Sequence, residues 1–318
     1  MRLGPLTVAV PFAAGPLEEH STPPFRLLAR RCGAGLVWSE RIDGTALAEG
    51  DRRQRRQLVV APGERPVVGQ ISAATPEVAA AAAREIEGAG FAAVDLNCDC
   101  PAGRVAARGE GGALMCDPAL IGRLVAAMAT AVRIPVLVKL RRGPAAGHET
   151  AVAAAQAAAS AGAAAVTLHA RWVDQGYRGE ADWAIIAEAV RAVAIPVLGS
   201  GSVRSAADAV RMLRETGCAG VVVGRGCLGH PWIFREAEAL RQGRSCPPPT
   251  ADERVRALLE VVDGEWKILG APLAGRRLAR WACYFAQHLP AEAFREFRSA
   301  VQTCDSPPAL QRLARQCF

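Results

Sequence analysis

The chain has few lysines, few aromatic residues and few cysteine pairs. Lys139 and Lys267 are its only lysines among 38 basic residues, and aromatic residues make up 5% of the 318 positions. Its ten cysteines are scattered singly except at Cys98 and Cys100, and no C-x-x-C or H-E-x-x-H motif occurs. A disulfide scaffold and a zinc site are therefore disfavoured, and we predict no bound metal.

Long apolar runs are also absent. The first apolar segment, LGPLTVAVPF, is short and interrupted by proline, so it predicts neither a signal peptide nor a membrane span. We expect a cytoplasmic protein that does not contact membranes. The net charge of +7 permits a polyanionic partner such as RNA, although a solvated arginine-rich surface would give the same charge balance.

Eight short apolar segments alternate with alanine-rich helical segments. They are LTVAVPF, GLVWSE, PVVGQI, AAVDLN, PVLVKL, AVTLHA, PVLGSG and GVVVGRG. This alternation predicts an α/β protein with a (β/α)8 TIM barrel over residues 1–243, and no G-x-G-x-x-G loop follows the first strand to favour a Rossmann fold. Beyond a proline-rich linker, residues 244–318 predict a small all-α domain. Two interpretations of its arginines are open: they bind RNA phosphates, or they lie on a solvent-exposed helix face.

Polar residues cluster at the predicted carboxyl ends of the strands, where barrel enzymes place their active sites. In chain order these ends carry Pro11, Phe12 and Ala13; Ser39 and Glu40; Gln70; Asn97 and Cys100; Lys139 and Arg141; His169 and Arg171; Ser200, Gly201 and Ser202; and Gly224, Arg225 and Gly226. The glycine-rich seventh and eighth loops predict a phosphate site. Lys139 would stabilise negative charge on a reduced flavin ring, so we predict FMN as the cofactor.

Seven sequence blocks, in order, resemble the tRNA-dihydrouridine synthases, the Dus family of FMN enzymes, with the DusB branch the most similar. The blocks are PPFRLLARRCGAGLVWSE, PVVGQISAATPE, VDLNCDCPAGRV followed by GGALMCDP, IPVLVKLRRG, LHARWVDQGYRGEADW, IPVLGSGSV and GVVVGRGCLGHPWIFRE. Residues 276–299 are similar to the family's helical C-terminal domain, which helps to hold tRNA.

The resemblance implies that uridines in tRNA are reduced to 5,6-dihydrouridine. NADPH would reduce FMN, flavin N5 would pass a hydride to C6, and Cys100 would protonate C5 from the opposite face. The expected cofactor-binding residues are Pro11, Phe12, Ala13, Gln70, Lys139, His169, Ser200, Gly201, Ser202, Gly224 and Arg225. The expected RNA-binding residues are Asn97, Arg141, Arg171 and Arg178, with Arg104 beside the same groove. No protein partner is implied.

Several positions depart from the family pattern. Asp99 stands where the N-x-G-C-P motif has glycine, Ser200 and Ser202 replace an asparagine and an acid, and Trp172 lies within the sixth-strand motif. The first loop is also longer than in the family pattern. Two alternatives follow from these departures: an FMN-dependent oxidoreductase that acts on a small enone, and an RNA-binding relative that has lost the flavin.

Overall fold

A closed barrel of eight parallel strands forms the larger part of the molecule, as predicted. The computed structural model describes residues 1–271 and 273–318. Its strands are β1 (Arg2–Leu3), β2 (Leu6–Thr7), β3 (Phe12–Ala14), β4 (Leu36–Asp43), β5 (Val67–Ser72), β6 (Ala93–Cys98), β7 (Val136–Arg141), β8 (Ala165–His169), β9 (Val197–Ser200) and β10 (Gly220–Val223). The barrel runs from β3 to β10 in chain order, and β10 closes it by pairing with β3.

Helices follow the barrel strands and cover their outer surface. They are α1 (Pro23–Arg31), α2 (Gly44–Ala48), α3 (Arg52–Arg55), α4 (Pro76–Gly88), α5 (Gly103–Ala106), α6 (Pro118–Ala131), α7 (Ala151–Ser160), α8 (Ala184–Ala192), α9 (Ala206–Thr216) and α10 (Ile233–Arg241). Thr75, Asp117 and Ser205 accept hydrogen bonds from backbone N–H groups in the first turns of α4, α6 and α9. These side chains satisfy donors that a helix start leaves unpaired.

The barrel interior is apolar at one end and polar at the other. The apolar layer takes one inward side chain from each strand: Ala13, Leu36, Val68, Ala93, Leu137, Ala165, Leu198 and Val222. Two residues further along their strands lie Gln70, Asp95, Lys139, Thr167 and Ser200, all buried. Successive side chains of a strand point to opposite faces, so positions two apart share the interior. The strand register therefore collects polar groups at the carboxyl end.

The predicted position of the first barrel strand is wrong. Leu6–Thr7 pairs in an antiparallel hairpin with Arg2–Leu3, whereas the first barrel strand begins at Phe12. Leu3 and Val8 pack against the apolar layer and close the bottom of the barrel. Pro11 has no N–H to donate to a sheet, which separates the hairpin from the barrel strand.

This shift corrects the expected positions of three cofactor residues. Phe12 and Ala13 lie inside β3 and are completely buried, and Pro11 precedes that strand. The carboxyl end of β3 instead leads into residues 15–17.

The C-terminal region is helical, as predicted. Its helices are α11 (Ala251–Leu269), α12 (Ala271–Phe285), α13 (Ala291–Ala300) and α14 (Pro307–Cys317). The Trp281 ring packs on Phe25 of α1, with 5.3 Å between the ring centroids. Gly229, at φ +73°, lies so close to α12 that a Cβ there would stand 2.1 Å from the Tyr284 carbonyl oxygen. This region is therefore packed directly against the barrel.

The longer first loop also joins the barrel to these helices. The Arg277 guanidinium donates to the Glu19 backbone carbonyl, and Arg280 forms an ion pair with the Glu19 side chain. His20 makes edge contacts with Trp281 and Tyr284. Among the described residues, no helix is long and apolar enough to cross a membrane.

Candidate active site

A cavity of about 720 Å³ lies at the carboxyl ends of the barrel strands. This volume is within the range of small-molecule and cofactor sites. Eight of the predicted site residues line it: Lys139, His169, Arg171, Ser200, Gly201, Ser202, Gly224 and Arg225. Gly15, Pro16 and Leu17 line it from the first loop, and Tyr284 and Gln287 line it from the C-terminal helices. The barrel loops and the C-terminal helices therefore line this cavity together.

The loop after β9 approaches the cavity without a side chain at Gly201. Its φ is +108°, and a Cβ there would lie 2.8 Å from Ala181 and 2.9 Å from the His169 ring. Next to it, the Ser202 hydroxyl accepts a hydrogen bond from Arg171 at 2.8 Å. The Nε of Arg171 is buried and has no hydrogen-bond partner among the described residues. This end of the cavity therefore combines exposed backbone with positive charge, which suits an anion.

Asp99 is surrounded by three buried ionisable groups. Its carboxylate lies 2.9 Å from the Lys139 ammonium, 2.8 Å from Arg141 Nε and 3.1 Å from His169 Nδ1. Burial alone would raise the pKa of Asp99, but the charges of Lys139 and Arg141 hold it well below its usual range. Asp99 is therefore a permanent anion that pairs with both cations.

His169 is neutral and its tautomer is set by its neighbours. Burial lowers the pKa of His169 to about 4, although the hydrogen bond to Asp99 opposes this shift. Arg171 can only donate, so His169 Nε2, 3.1 Å from its Nη1, is the acceptor. Nδ1 then carries the proton and donates a hydrogen bond to the Asp99 carboxylate.

A chain of buried hydrogen bonds supports the loop that carries Cys100. Trp38 Nε1 and Gln70 Nε2 both donate to the Asp95 carboxylate, at 3.0 and 2.7 Å. Asn97 donates to the Gln70 side-chain oxygen, and its own oxygen accepts from the backbone N–H groups of Asp99 and Cys100. The barrel interior thereby fixes the backbone beside the thiol.

Cys100 itself lies half-buried just after β6, and its carbonyl accepts a hydrogen bond from the Gly112 N–H. It is a free cysteine, as are Cys98, which is completely buried, and Cys116, which is exposed. The sequence places Cys98 and Cys100 two positions apart, and the structure separates them. Cys98 is completely buried, whereas Cys100 is half-buried and lies outside the cavity lining, next to Asp99, which belongs to it.

Not every predicted residue faces the cavity. Gln70 and Asn97 belong to the supporting network beneath it rather than to its lining. Arg178 is exposed on the loop after β8, and Arg104 is exposed and ion-paired with Glu18.

The role predicted for Arg141 also needs correction, because the guanidinium expected to bind RNA is completely buried. Its Nη1 donates to the carbonyls of Trp172 and Gly176, which fastens the loop after β8. Arg141 is therefore a framework residue of the site, and its burial leaves no surface for RNA to touch.

Sequence reasoning missed several members of the site. Asp95 lies two positions before Asn97 in β6 and so shares its face of the strand, which means that strand periodicity alone would have placed it in the polar layer. Tyr177 stands over the cavity between two guanidinium groups, 5.3 Å from Arg141 and 4.7 Å from Arg225. No local pattern marks Tyr177 or the distant Tyr284 as lining residues.

Among the described residues, no cluster of His, Cys, Asp or Glu side chains is arranged to hold a metal ion.

Two sequence comparisons with known proteins point to the same family. A family model described as dihydrouridine synthase (Dus) matches residues 12–318. A protein of Xanthomonas axonopodis pv. citri (strain 306) named tRNA-dihydrouridine synthase B is 34% identical over 319 residues, covering 100% of this chain and 96% of that protein. One of Mycobacterium tuberculosis (strain CDC 1551 / Oshkosh), named probable tRNA-dihydrouridine synthase, is 40% identical over 266 residues, covering 80% and 68%.

Among solved structures, a complex of 2-naphthoyl-CoA reductase with 2-naphthoyl-CoA superposes with a TM-score of 0.56. The aligned region covers 77% of this chain and 52% of that one. At 11% identity the likeness concerns the barrel fold alone.

Proposed function

Since the chain belongs to the dihydrouridine synthase family, we propose that it reduces uridines in tRNA to 5,6-dihydrouridine, with FMN as its cofactor and NADPH as reductant. The observation that carries the proposal is the cavity itself. It has an anion-binding end at Gly201 and Arg171, a buried lysine at Lys139, and the fixed Cys100 loop beside it. These are the groups that the predicted reaction requires.

The residues of the cavity fit FMN. Backbone at Gly201 and Gly224, together with the guanidinium groups of Arg171 and Arg225, would hold the phosphate. Lys139 and His169 line the same cavity and would bind polar atoms of the ring system. Bound FMN would supply the hydride that reduces the uracil ring, after taking it from NADPH.

Cys100 is the proposed proton donor to C5 of the uracil ring. A thiol carries a proton that it can give up as negative charge develops on the substrate. The network from Trp38 through Asp95 and Gln70 to Asn97 holds the backbone of Cys100 in place, so the thiol needs little rearrangement. The uridine must leave its stack to reach the cavity, as in other enzymes that act on a base.

The C-terminal helices provide the proposed tRNA surface. Arg295, Arg298, Arg312 and Arg315 are exposed there, and none of them forms an ion pair with a carboxylate among the described residues. Exposed arginines without a carboxylate partner are available to RNA phosphates. Tyr284 of α12 and Gln287 just after it line the cavity, so the helical region that carries these arginines adjoins the cavity.

The function is tested with purified protein, FMN, NADPH and tRNA transcripts that lack modifications. We expect a yellow protein whose flavin is bleached by NADPH without oxygen and reoxidised by the transcript, with dihydrouridine detected by mass spectrometry. Cys100→Ala should lower the rate of dihydrouridine formation by about a hundredfold or more while FMN still binds.

Cys116→Ala is the matched control, because Cys116 is an exposed free cysteine outside the loop that carries Cys100. Full activity of Cys100→Ala would contradict the assigned proton donor. Flavin that NADPH reduces but tRNA never reoxidises would instead favour the reduction of a small enone. A colourless protein that binds tRNA would favour the flavin-free relative.

A further inference from the structure

The carboxylate of Asp99 occupies an unusual place in the cavity. Asp99 lines the cavity together with Lys139 and His169, and its side chain is only 13% exposed. The family pattern has glycine here, a residue with no side chain to place in the cavity. In this chain Asp99 therefore adds a fixed negative charge to the groups that would contact the flavin.

The pairing of Lys139 shows what this charge does. Its ammonium lies 2.9 Å from one carboxylate oxygen of Asp99, while the other oxygen meets Arg141 and His169. Below the pair, Asp95 is a second acid within electrostatic reach of Lys139. A cation that is paired with a carboxylate attracts a further anion less strongly than a free cation does.

The remaining charges nearby do not compensate for this effect. Arg141 is completely buried, forms an ion pair with the Asp99 carboxylate and does not line the cavity. It also donates to the backbone carbonyls of Asp99, Trp172 and Gly176. His169 is neutral because burial lowers its pKa to about 4. Arg171 and Arg225 belong to the anion-binding end described above. Lys139 is therefore the cation at the Asp99 end of the cavity, and Asp99 shares it.

We propose that Asp99 lowers the midpoint potential of bound FMN. By sharing the Lys139 ammonium, Asp99 weakens the binding of reduced, anionic FMN relative to that of oxidised FMN. The inference rests on the proposed function, because it requires FMN in this cavity. A weaker hold on the reduced form makes the flavin harder to reduce and makes it a stronger reductant once reduced. Asp99 is thus a positioning residue that acts through Lys139.

The test measures the flavin midpoint potential by anaerobic titration against a reference dye, and the Kd of oxidised FMN by fluorescence quenching. Asp99→Asn and Asp99→Gly are compared with the native chain. We expect both variants to bind reduced FMN at least about tenfold more tightly, relative to oxidised FMN, than the native chain does. For a two-electron couple this raises the midpoint potential by about 30 mV.

Asp174→Asn is the matched control, because Asp174 is exposed, lies outside the cavity lining and forms no ion pair among the described residues. Its potential should equal that of the native chain. In a Lys139→Met background the effect of Asp99→Asn should shrink, because the cation through which Asp99 acts has been removed. A full-size effect in that background would overturn the assigned route through Lys139.

Equal potentials in the native chain and both Asp99 variants would overturn the proposal while leaving the proposed function intact, provided that FMN is bound and tRNA is reduced. Flavin binding by the Asp99 variants but not by the native chain would refute both the proposed function and the proposed role of Asp99, because the native cavity would then hold no flavin. Failure of every protein to bind FMN would refute both.

Discussion

Asp95 is expected to contribute to the pH dependence of the protein's stability, and Asp95→Asn should remove that contribution. Asp95 is completely buried inside the barrel, where only one of its carboxylate oxygens receives hydrogen bonds; Oδ1 has no partner among the described residues. Burial therefore raises the pKa of Asp95 from 3.8 to about 7, even though Gln70, Lys139 and Trp38 act to lower it.

The direction and size of the effect follow from proton linkage. Between pH values of about 4 and 7 the folded chain holds the Asp95 proton and the unfolded chain has lost it. The folded state therefore binds more protons, and the free energy of unfolding falls as pH rises, by up to about 1.4 kcal/mol per pH unit. Integrated from about pH 5 to about pH 8, the loss is roughly 2.5 kcal/mol.

The assay is urea unfolding of flavin-free protein, followed by tryptophan fluorescence, at intervals across this pH range. Asparagine is uncharged at every pH and keeps one side-chain oxygen to accept hydrogen bonds. Glu40, whose pKa burial raises to about 7, and His169, whose pKa burial lowers to about 4, also titrate differently in the two states. Both are present in each protein, so subtracting the Asp95→Asn free energies isolates Asp95. A difference that stays constant within about 0.5 kcal/mol would refute the reasoning.

Two glycines offer further tests, each with a control that has a similar backbone conformation and open space around it. Gly201→Ala should weaken FMN binding about tenfold or more, because the new methyl would collide with Ala181 and the His169 ring; Gly147→Ala, at φ +83° with no atom within 4 Å, should leave the Kd unchanged. Gly229→Ala should destabilise the protein by roughly 2–4 kcal/mol in urea unfolding, since strain at positive φ adds to the clash with the Tyr284 carbonyl. Gly243→Ala, at φ +69° and free of neighbours, should cost only the smaller strain of its backbone. Equal losses in the two members of either pair would contradict the role assigned to close contact.

Strand periodicity explains why most of the barrel could be predicted. Leu137 and Lys139 in β7, like Val68 and Gln70 in β5, are two positions apart and share the barrel interior. This alternation is local, so it can be recognised in a single segment. It misled at residues 6–12, where the apolar pattern of the N-terminal hairpin resembles that of a barrel strand.

The sequence by itself determined the alternation of strands and helices, the helical C-terminal region, the polar carboxyl ends of seven strands and the two cysteines of β6 and its loop. It also showed a carboxylate at Asp99 beside Cys100. Only the tertiary structure decided which groups meet that carboxylate. Arg141 and His169 lie 42 and 70 residues away on other strands. They reach Asp99 because β6, β7 and β8 pair side by side in a fixed parallel register, a constraint that no single segment contains.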